Sequence, residues 1–296
     1  MSMHRVGIIG GSGLGDALAA QVDGQWHEID TPFGPPSGRI LTATWESVPI
    51  AFVSRHGPGH LLNPSTVPYR ANIHALKSLG VTHILASGAT GSLREEIEPR
   101  HLVICDQVID RTFRRASTFF DDGLVAHVEF AEPFCPTLRA VLNEVAAEVS
   151  TRVHPAGTYV CMEGPQFSTI AEAEMHRAWG GDLIGMTCMP EAKLAREAEI
   201  CYALVALPTD YDCWRPHDPS KSKQALLAEI IGNLEAVTRH GIELLRAALR
   251  RFATAPLPAC TCQQALEMAI WSDKNRIAPV VRHRLALLLD RHLPAD

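Results

Sequence analysis

The sequence predicts an α/β fold, and a second observation predicts that this fold is an ordinary globular domain. Short apolar runs alternate along the chain with segments whose apolar residues recur at helical spacing, the pattern of a sheet covered by helices. The chain has 296 residues, of which 46% are hydrophobic and 20% charged, as in ordinary globular proteins with a sizeable core. We therefore expect a single domain over residues 1–296, in which residues 254–296 form a linker and a helical tail.

The first elements to justify are the strands and the shorter helices. Predicted strands are short apolar runs, and they cover residues 6–9, 50–54, 83–87, 102–105, 158–161, 183–186 and 201–207. Predicted helices cover residues 68–79, 136–149, 169–179 and 190–199, and three of these begin with proline, which is favoured in the first helical turn.

A longer helical pattern covers residues 224–252. We interpret its apolar stripe as a core face that is broken near Gly241. The stripe consists of Leu227, Ile230, Ile231, Leu234, Val237, Leu244, Leu245 and Ala248. The stretch Thr-Ala-Pro-Leu-Pro at 254–258 reads as a linker, and a further helical tail is predicted over about 263–293.

Charge and hydropathy exclude several classes of function. The net charge is −6 and the isoelectric point is near 6.2, which argues against a nucleic-acid-binding surface. Because no apolar stretch reaches about 18 residues, no membrane span is predicted. The first residues lack a signal-peptide core, so we expect a cytoplasmic protein.

The eight cysteines do not read as a disulfide framework. Six lie in core-like segments and are predicted to be small buried hydrophobic residues, at positions 105, 135, 161, 188, 201 and 213. The other two, Cys260 and Cys262, are interpreted as surface thiols at the edge of the linker. Two cysteines alone are too few for a structural zinc site, so no metal is expected.

Two carboxylates follow the last predicted strand, in the segment Thr-Asp-Tyr-Asp-Cys-Trp at 209–214. Ligands of open α/β sheets bind beyond the carboxyl ends of strands, and Asp210 and Asp212 can point the same way if the backbone is extended. A carboxylate accepts hydrogen bonds, and its protonated form also donates one. The pair therefore suits a 6-aminopurine leaving group, although an isolated Asp-x-Asp is more often a solvated turn.

Residues suited to an anion follow other strands. The loop Gly-Gly-Ser-Gly at 10–13 allows backbone N–H groups and the Ser12 hydroxyl to approach an anion. A dinucleotide-binding fingerprint fails, because Asp16 stands where its third glycine would be. Arg55 and His56 end a strand and Thr187 follows one, and arginine suits bidentate phosphate binding. A tight turn and a surface ion pair are the simpler alternatives.

Several motifs in order resemble the 5'-methylthioadenosine phosphorylases, a branch of the trimeric purine nucleoside phosphorylase family. The resemblance covers residue 6 to about 214. Its blocks are Gly-Gly-Ser-Gly-Leu (10–14), Arg-His-Gly (55–57), Tyr-Arg-Ala-Asn-Ile (69–73), Gly-Ser-Leu-Arg-Glu-Glu (91–96), Asp-Gln-Val-Ile-Asp-Arg-Thr (106–112), Ala-Glu-Pro-Phe-Cys-Pro (131–136), Glu-Gly-Pro-Gln-Phe-Ser (163–168) and Thr-Asp-Tyr-Asp-Cys-Trp (209–214). The resemblance implies a twisted, mixed central β-sheet flanked by helices, the nucleoside phosphorylase fold.

By this resemblance, one set of residues holds phosphate. It comprises Ser12, Arg55, His56 and Thr187, with backbone help near Gly88 and Ala89. Many members of the branch carry a threonine where Gly88 stands, so this chain lacks one hydroxyl contact.

By the same resemblance, other residues hold the nucleoside. Phe167 stacks on the base, Ser168 helps to fix it and Met186 packs against the sugar. His127 matches a histidine that a neighbouring subunit lends to the 5' end of the ligand. The resemblance therefore implies a homotrimer or a dimer of trimers. From the residues alone, Phe167 reads equally well as core and His127 as an ordinary surface side chain.

The two carboxylates distinguish 6-amino from 6-oxo purines. A 6-aminopurine donates from N6, whereas a 6-oxopurine accepts at O6 and N7, and a mismatch costs roughly 1–3 kcal/mol for each unpaired polar group. We assign Asp210 to N7 as the general acid, and Asp212 chiefly to N6. Such an acid works best with a raised pKa. Inosine and guanosine phosphorylases usually have asparagine at the Asp210 position and glutamate at the Ser168 position.

The expected function is cleavage of 5'-methylthioadenosine by phosphate, giving adenine and 5-methylthioribose 1-phosphate in purine and methionine salvage. Phosphate is a substrate, and no cofactor is implied. The alternatives are a purine nucleoside phosphorylase of broader or 6-oxo preference and a non-catalytic nucleotide-binding regulatory module. A Cys-x-Cys in some archaeal relatives is linked to disulfides, but we expect none at Cys260 and Cys262 in a reducing cytosol.

Overall fold

The computed structural model describes residues 5–11, 13–19, 21–216, 219–255 and 259–293. Its central feature is an eleven-stranded mixed sheet flanked by helices, which confirms the predicted α/β class. The strands are β1 (Arg5–Gly10), β2 (Gly24–His27), β3 (Ile40–Trp45), β4 (Val48–Ser54), β5 (Val81–Ser92), β6 (Leu102–Ile104), β7 (Gln107–Arg111), β8 (Val153–His154), β9 (Thr158–Met162), β10 (Leu183–Gly185) and β11 (Cys201–Asp210). The helices are α1 (Leu14–Ala19), α2 (Tyr69–Ser78), α3 (Pro136–Glu144), α4 (Ile170–Ala178), α5 (Cys188–Glu197), α6 (Lys223–Thr254) and α7 (Pro279–Leu289).

The long strand β5 organises the sheet. Strand order is β2-β3-β4-β1-β5-β10-β9-β7, and β11 also pairs with β5 and with β6, which pairs with β8. Strands β1 and β11 run parallel to β5, whereas β10 is antiparallel to its last residues. The carboxyl ends of β4, β1, β5 and β11 therefore lie along one edge of the sheet, where the sequence places its candidate site.

Both faces of the sheet are buried at its centre. Along β11, alternate side chains belong to two different apolar clusters, with Ala203 and Val205 in one and Leu204 and Ala206 in the other. This is the period-two pattern of a strand covered on both sides. Helix α6 contributes to the first cluster, and helices α2, α5 and α7 contribute to the second.

Every strand predicted from the sequence is present, but β2, β3, β7 and β8 were not predicted. Their sequences explain this. Strand β2 is mostly exposed, β7 is Gln-Val-Ile-Asp-Arg with no fully buried side chain, and β8 has two residues. In such strands the pairing with neighbours outweighs the weak local pattern. Helix α1 was also missed.

Two expectations about the C-terminal part were wrong. Helix α6 runs unbroken past Gly241. The glycine packs against Leu207 of β11, and its missing side chain allows this close contact between helix and strand. In the predicted core stripe, Leu227 and Ile231 are exposed. The predicted tail is helical only in α7 and in short 3-10 turns at Thr261–Gln264 and Lys274–Arg276. Of the predicted linker, residues 256–258 lie outside the described residues.

The prediction that Cys260 and Cys262 are surface thiols is also wrong. Both are buried, because the segment after α6 folds back against the cluster formed by α3, α6 and β11. Of the six cysteines predicted to be buried, Cys213 is only half-buried and the other five are buried as expected. Among the described residues, none of the helices combines the length and apolarity that crossing a bilayer requires.

Candidate active site

A cavity of about 570 Å³ opens at the sheet edge where β4, β5 and β11 end. This volume lies within the range of about 300–1,000 Å³ that is usual for small-molecule sites. Most of the predicted site residues line it, namely Arg55, His56, Gly88, Ala89, Phe167, Ser168, Met186, Thr187, Asp210 and Asp212. The topology therefore brings together side chains that lie more than 150 positions apart in the sequence.

Two predicted residues are not among those lining the cavity. Ser12 lies outside the described residues, although its neighbour Gly11 does line the cavity. His127 is exposed, and its ring packs edge-on against Trp271, with 5.4 Å between the ring centroids. The structure therefore does not place His127 in the cavity of its own chain.

Arg55 is a fully buried cation at the end of β4. Its Nε and Nη2 donate to the two carboxylate oxygens of Glu191 at 2.7 and 2.8 Å, and its Nη1 donates to Ser87 O at 2.8 Å. Burial acts to lower the pKa of Arg55, but the charge and hydrogen bonds of Glu191 more than offset it and raise the pKa above its usual value. The guanidinium has five N–H groups, and these three bonds leave two for a ligand.

Glycines make room for this guanidinium. A Cβ atom on Gly11 would lie 2.9 Å from Arg55 Nη1 and 3.0 Å from Ser87 O, so a side chain there would displace the cation. Gly88 is less crowded, since a Cβ would meet Thr187 Oγ1 at 3.5 Å, an ordinary contact. The wall between Arg55 and Thr187 is thus backbone, which suits an anion that binds N–H groups.

His56 is a buried, neutral imidazole. Its Nδ1 lies 2.8 Å from Leu62 O, and because a carbonyl only accepts, Nδ1 carries the hydrogen. Burial, followed by the nearby positive charge of Arg55, lowers the pKa of His56 to about 4, even though the hydrogen bond to Leu62 O acts to raise it. At neutral pH the remaining ring nitrogen, Nε2, is therefore an acceptor that suits a P–OH group.

The two aspartates are held by a short network at the end of β11. Asp210 Oδ2 accepts from Thr209 Oγ1 at 2.8 Å, and Asp210 Oδ1 accepts from the Asp212 backbone N–H at 2.8 Å. Asp212 has a φ of 50°, the left-handed region that is costly for most residues. Burial, followed by repulsion from Asp210, raises the pKa of Asp212 above the usual range of aspartate.

Asp212 Oδ2 is buried and has no hydrogen-bond partner among the described residues. A buried acceptor left unpaired costs about 1–3 kcal/mol, so it is a place where a ligand that donates a hydrogen bond would gain affinity. The raised pKa falls on this carboxyl group, adjacent to Asp210. Asp212 can therefore accept a hydrogen bond from a ligand, and it retains a proton to higher pH than an ordinary aspartate does.

The 163–168 loop also lines the cavity, through Pro165, Phe167 and Ser168. Phe167 is 85% exposed, so it is not a core residue and its ring is free to contact a ligand at the cavity mouth. Ser168 Oγ lies 3.7 Å from Met162 Sδ, and Ser168 O accepts from Cys213 Sγ at 3.3 Å. The loop is therefore linked directly to the turn that carries the aspartates.

Sequence reasoning missed the residues that hold these groups in place. Glu191 orients Arg55 and also accepts from Tyr202 Oη at 2.8 Å. Arg115 is almost fully buried, and it donates to Met186 O, Met189 O and Glu163 O at 2.6 Å each. The sequence offers one sign of the role of Glu191, which is that a charged residue lies inside the helix α5. No local sequence feature indicates that Arg115 is buried or that it supports the site.

Helix α6 supplies an apolar wall of the cavity, where the sequence predicts only a core face. Ile230 and Leu234 line the cavity, although the stripe to which they belong was interpreted as a core face. The first turns of α6 thus cover the cavity, and the later turns pack on the sheet. The result is a site with a buried cation at one end, a carboxylate pair at the other and apolar walls between them.

These features are those of a nucleoside-cleaving enzyme of the phosphorylase class, and comparison with known families agrees. The chain matches the Phosphorylase superfamily over residues 5–250, and it belongs to that superfamily. A curated relative from Thermosynechococcus vestitus is named S-methyl-5'-thioadenosine phosphorylase. It is 44% identical over 292 residues, which cover 98% of this chain and 99% of the relative.

Solved structures give the same result. A methylthioadenosine phosphorylase sourced from an antarctic soil metagenomic library is 42% identical with a TM-score of 0.86, over 98% of this chain and all of that chain. A variant of the adenosine/methylthioadenosine phosphorylase from Schistosoma mansoni, in complex with methylthioadenosine, is 32% identical. Its TM-score is 0.78, and the match covers 97% of this chain and 98% of that chain. The fold is thus that of the nucleoside phosphorylases, as predicted.

Proposed function

We propose that this chain catalyses the phosphorolysis of 5'-methylthioadenosine to adenine and 5-methylthioribose 1-phosphate, as part of purine and methionine salvage. The observation that carries the proposal is the pair of chemical groups at the two ends of one cavity. Along β5, Gly88 adjoins Arg55 and Gly91 adjoins Asp210 and Asp212. Three strand residues span about 10 Å, a distance that a ribosyl group and a purine can bridge.

The Arg55 end binds phosphate. Two free N–H groups of Arg55, the backbone at Gly88 and Ala89, and the hydroxyls of Thr187 and Ser12 act as donors. His56 Nε2 accepts from the P–OH group, because its other nitrogen is committed to a carbonyl. These contacts hold a phosphate oxygen below the anomeric carbon for attack, and such positioning converts a bimolecular step into a unimolecular one.

The aspartate end binds and protonates the base. Asp210 gives a proton to N7 as the bond between the anomeric carbon and N9 breaks, so that adenine leaves neutral. Asp212 accepts from N6, which satisfies its otherwise unpaired Oδ2. Phe167 stacks on the purine, and Ser168 fixes it. As the C–N bond breaks, a phosphate oxygen bonds to the anomeric carbon, giving the sugar 1-phosphate.

The sugar and its 5' group lie between these ends. Met186 packs against the ribosyl ring, and His127 of a neighbouring chain closes the 5' pocket in a homotrimer or a dimer of trimers. The exposed position of His127 supports this assignment. Phosphate is a co-substrate, and the reaction uses neither a metal ion nor an organic cofactor. The working compartment is the cytoplasm.

One assay tests the proposal directly. Release of the free base is measured with 5'-methylthioadenosine, adenosine and methylthioinosine, each with and without phosphate. The base is adenine for the first two substrates and hypoxanthine for the third. We expect phosphate-dependent cleavage that is fastest with 5'-methylthioadenosine. Equal rates without phosphate would indicate a hydrolase, a preference for methylthioinosine would indicate a 6-oxopurine phosphorylase, and binding without cleavage would indicate a regulatory module.

A further inference from the structure

Four cysteines from three distant parts of the chain meet away from the active-site cavity. They are Cys135, Cys201, Cys260 and Cys262, and their Sγ atoms all lie within 4.8 Å of one another. We call this group the cysteine cluster. None of the four is more than 9% exposed, and none lines the cavity.

The cluster has the spacing of a metal site rather than of two disulfides. Zinc–sulfur bonds are about 2.3 Å, so a tetrahedral site places its sulfurs about 3.8 Å apart. The distance between Cys135 Sγ and Cys260 Sγ is 3.4 Å, and the other pairs of sulfurs also lie within 4.8 Å of each other. A disulfide would instead bring two sulfurs to about 2.05 Å and leave the other pair separate.

The surroundings of the cluster suit a thiolate. Cys135 caps helix α3, and its sulfur accepts from the Leu138 backbone N–H at 3.5 Å. The N-terminus of a helix favours negative charge, which promotes the thiolate form that binds metals. Cys135 N–H also donates to Tyr202 O at 2.8 Å, which fixes α3 beside the start of β11. Such hydrogen bonds around the sulfurs orient the ligands of metal sites.

We propose that the cysteine cluster binds one zinc ion as a closed, structural tetrathiolate site. Four thiols lose their protons to solvent when the ion binds, and no redox change is involved. All four positions of the metal are filled by protein, and the apolar shell excludes water, so the site has no place for a substrate. The expectation of no metal rested on Cys260 and Cys262 alone, and the fold supplies the other two ligands.

Such an ion would anchor the C-terminal segment to the sheet. Beyond Cys262, that segment pairs with the loop that carries His127. His127 N–H donates to Ala269 O at 2.8 Å, Ala126 forms a β-bridge with Ile270, and Trp271 packs on the His127 ring. The metal site thus ties the strand β11 and helix α3 to the segment that supports this loop.

The test begins with metal analysis of the full-length protein, purified under reducing conditions and without an affinity tag that binds metals. Elemental analysis by mass spectrometry should find about one zinc per chain. X-ray absorption at the zinc edge should show four sulfur neighbours at about 2.3 Å. Protein refolded with Co²⁺ should give the d–d absorption of a tetrahedral thiolate complex.

Matched variants then locate the site. Cys262→Ser should lose most of the zinc and melt at a lower temperature, because a metal that binds only the native state stabilises it. Cys105→Ser, at a buried cysteine outside the cluster, should keep its zinc. None of these measurements depends on the proposed catalytic function.

Two outcomes would overturn the proposal. One is a metal-free protein in which all eight thiols of the chain react with a thiol reagent after denaturation, which would make the four cluster cysteines ordinary core residues. The other is a metal-free protein whose mass is lower by two hydrogens for each disulfide. If Cys262→Ser fails to fold, the zinc content and the cobalt spectrum of the wild-type protein still decide the question.

Discussion

At the scale of single residues, Asp212 shows how the site is kept at a cost to stability. Its backbone lies in the left-handed region, its Oδ2 is buried without a partner among the described residues, and its carboxyl group lies beside that of Asp210. Each of these features is unfavourable in the free protein. Strain of this kind persists at sites where a ligand later uses it.

We therefore expect Asp212→Asn to raise the melting temperature while lowering activity. The raised pKa means that the native state loses stability as pH rises through that pKa, because the unfolded carboxyl ionises more easily. Asparagine removes this loss and also tolerates a positive φ. Calorimetry should show a variant that is more stable by a few degrees at pH 8, with the difference shrinking near pH 4.

The activity of the same variant should fall, since an amide oriented as a donor opposes N6 of the substrate. Asp212→Ala serves as the control, because it also removes the charge but supplies no donor. A variant that is less stable than the wild-type protein at every pH would contradict the account of Asp212.

The neighbouring Asp210 gives a second prediction. Asp210→Asn removes the proton donor to N7, and general acids typically contribute about 10²–10⁴-fold to the rate. We expect kcat for 5'-methylthioadenosine to decrease by a factor in that range. The ratio of activity on methylthioinosine to activity on 5'-methylthioadenosine should rise. A donor that acts in the transition state appears in kcat rather than in KM alone. Unchanged kcat and unchanged preference would show that Asp210 is not the acid.

At the scale of elements, the Arg55–Glu191 pair joins the end of β4 to helix α5. The pair is fully buried and bidentate, so each partner depends on the other for compensation of its charge. Breaking such a pair by removing one partner typically costs about 3–5 kcal/mol. A substitution of Arg55 therefore has two consequences, one for phosphate binding and one for folding, which need to be separated.

The separation is possible with a double variant. Arg55→Ala should raise the phosphate KM far more than the nucleoside KM and should lower the unfolding free energy strongly. Adding Glu191→Gln removes the stranded charge and keeps an acceptor for Tyr202, so stability should partly return. The phosphate KM should stay high in the double variant. Recovery of the phosphate KM together with stability would mean that Arg55 acts only through folding.

The same elements show why part of the site was predictable from the sequence. Strand β11 is an apolar run that ends at Asp210, so both the strand and its functional end are encoded locally. Arg55 is likewise a charged residue at the end of an apolar run. By contrast, Glu191 is 136 positions from Arg55, and no local pattern links the two.

The sequence did not predict the cavity-lining face of α6 or the cysteine cluster, and the reason is the same for both. An apolar stripe on a helix indicates that the face packs in the core or lines a ligand cavity, and it does not distinguish the two. The sequence predicts the core for Ile230, whereas this side chain lines the cavity. From the sequence, Cys135 and Cys201 read as core residues because they lie in core-like segments, and only the fold brings them to Cys260 and Cys262. Tertiary contacts between distant segments are what the sequence pattern lacked.

At the scale of the whole molecule, several features lie on one exposed region near the C-terminal segment. His127 is exposed and packs on Trp271, which is itself 75% exposed, and Met268 is 90% exposed. Large exposed apolar side chains grouped in this way are typical of surfaces that contact another protein. A shared active site requires such a contact, and closed rings form from head-to-tail interfaces.

The last prediction tests whether active sites are shared between chains. Asp210→Ala disables the base site of its own chain, and His127→Ala weakens the 5' pocket of the neighbour. Hybrids of the two variants would contain some sites with Asp210 from one chain and His127 from the other. Those sites should recover efficient cleavage of 5'-methylthioadenosine at low substrate concentration. The matched control mixes Asp210→Ala with Asp212→Ala, which act in the same cavity and should not complement each other. If hybrids form and the mixture is no more active than its two components assayed separately, His127 acts within its own chain or has no role in the site.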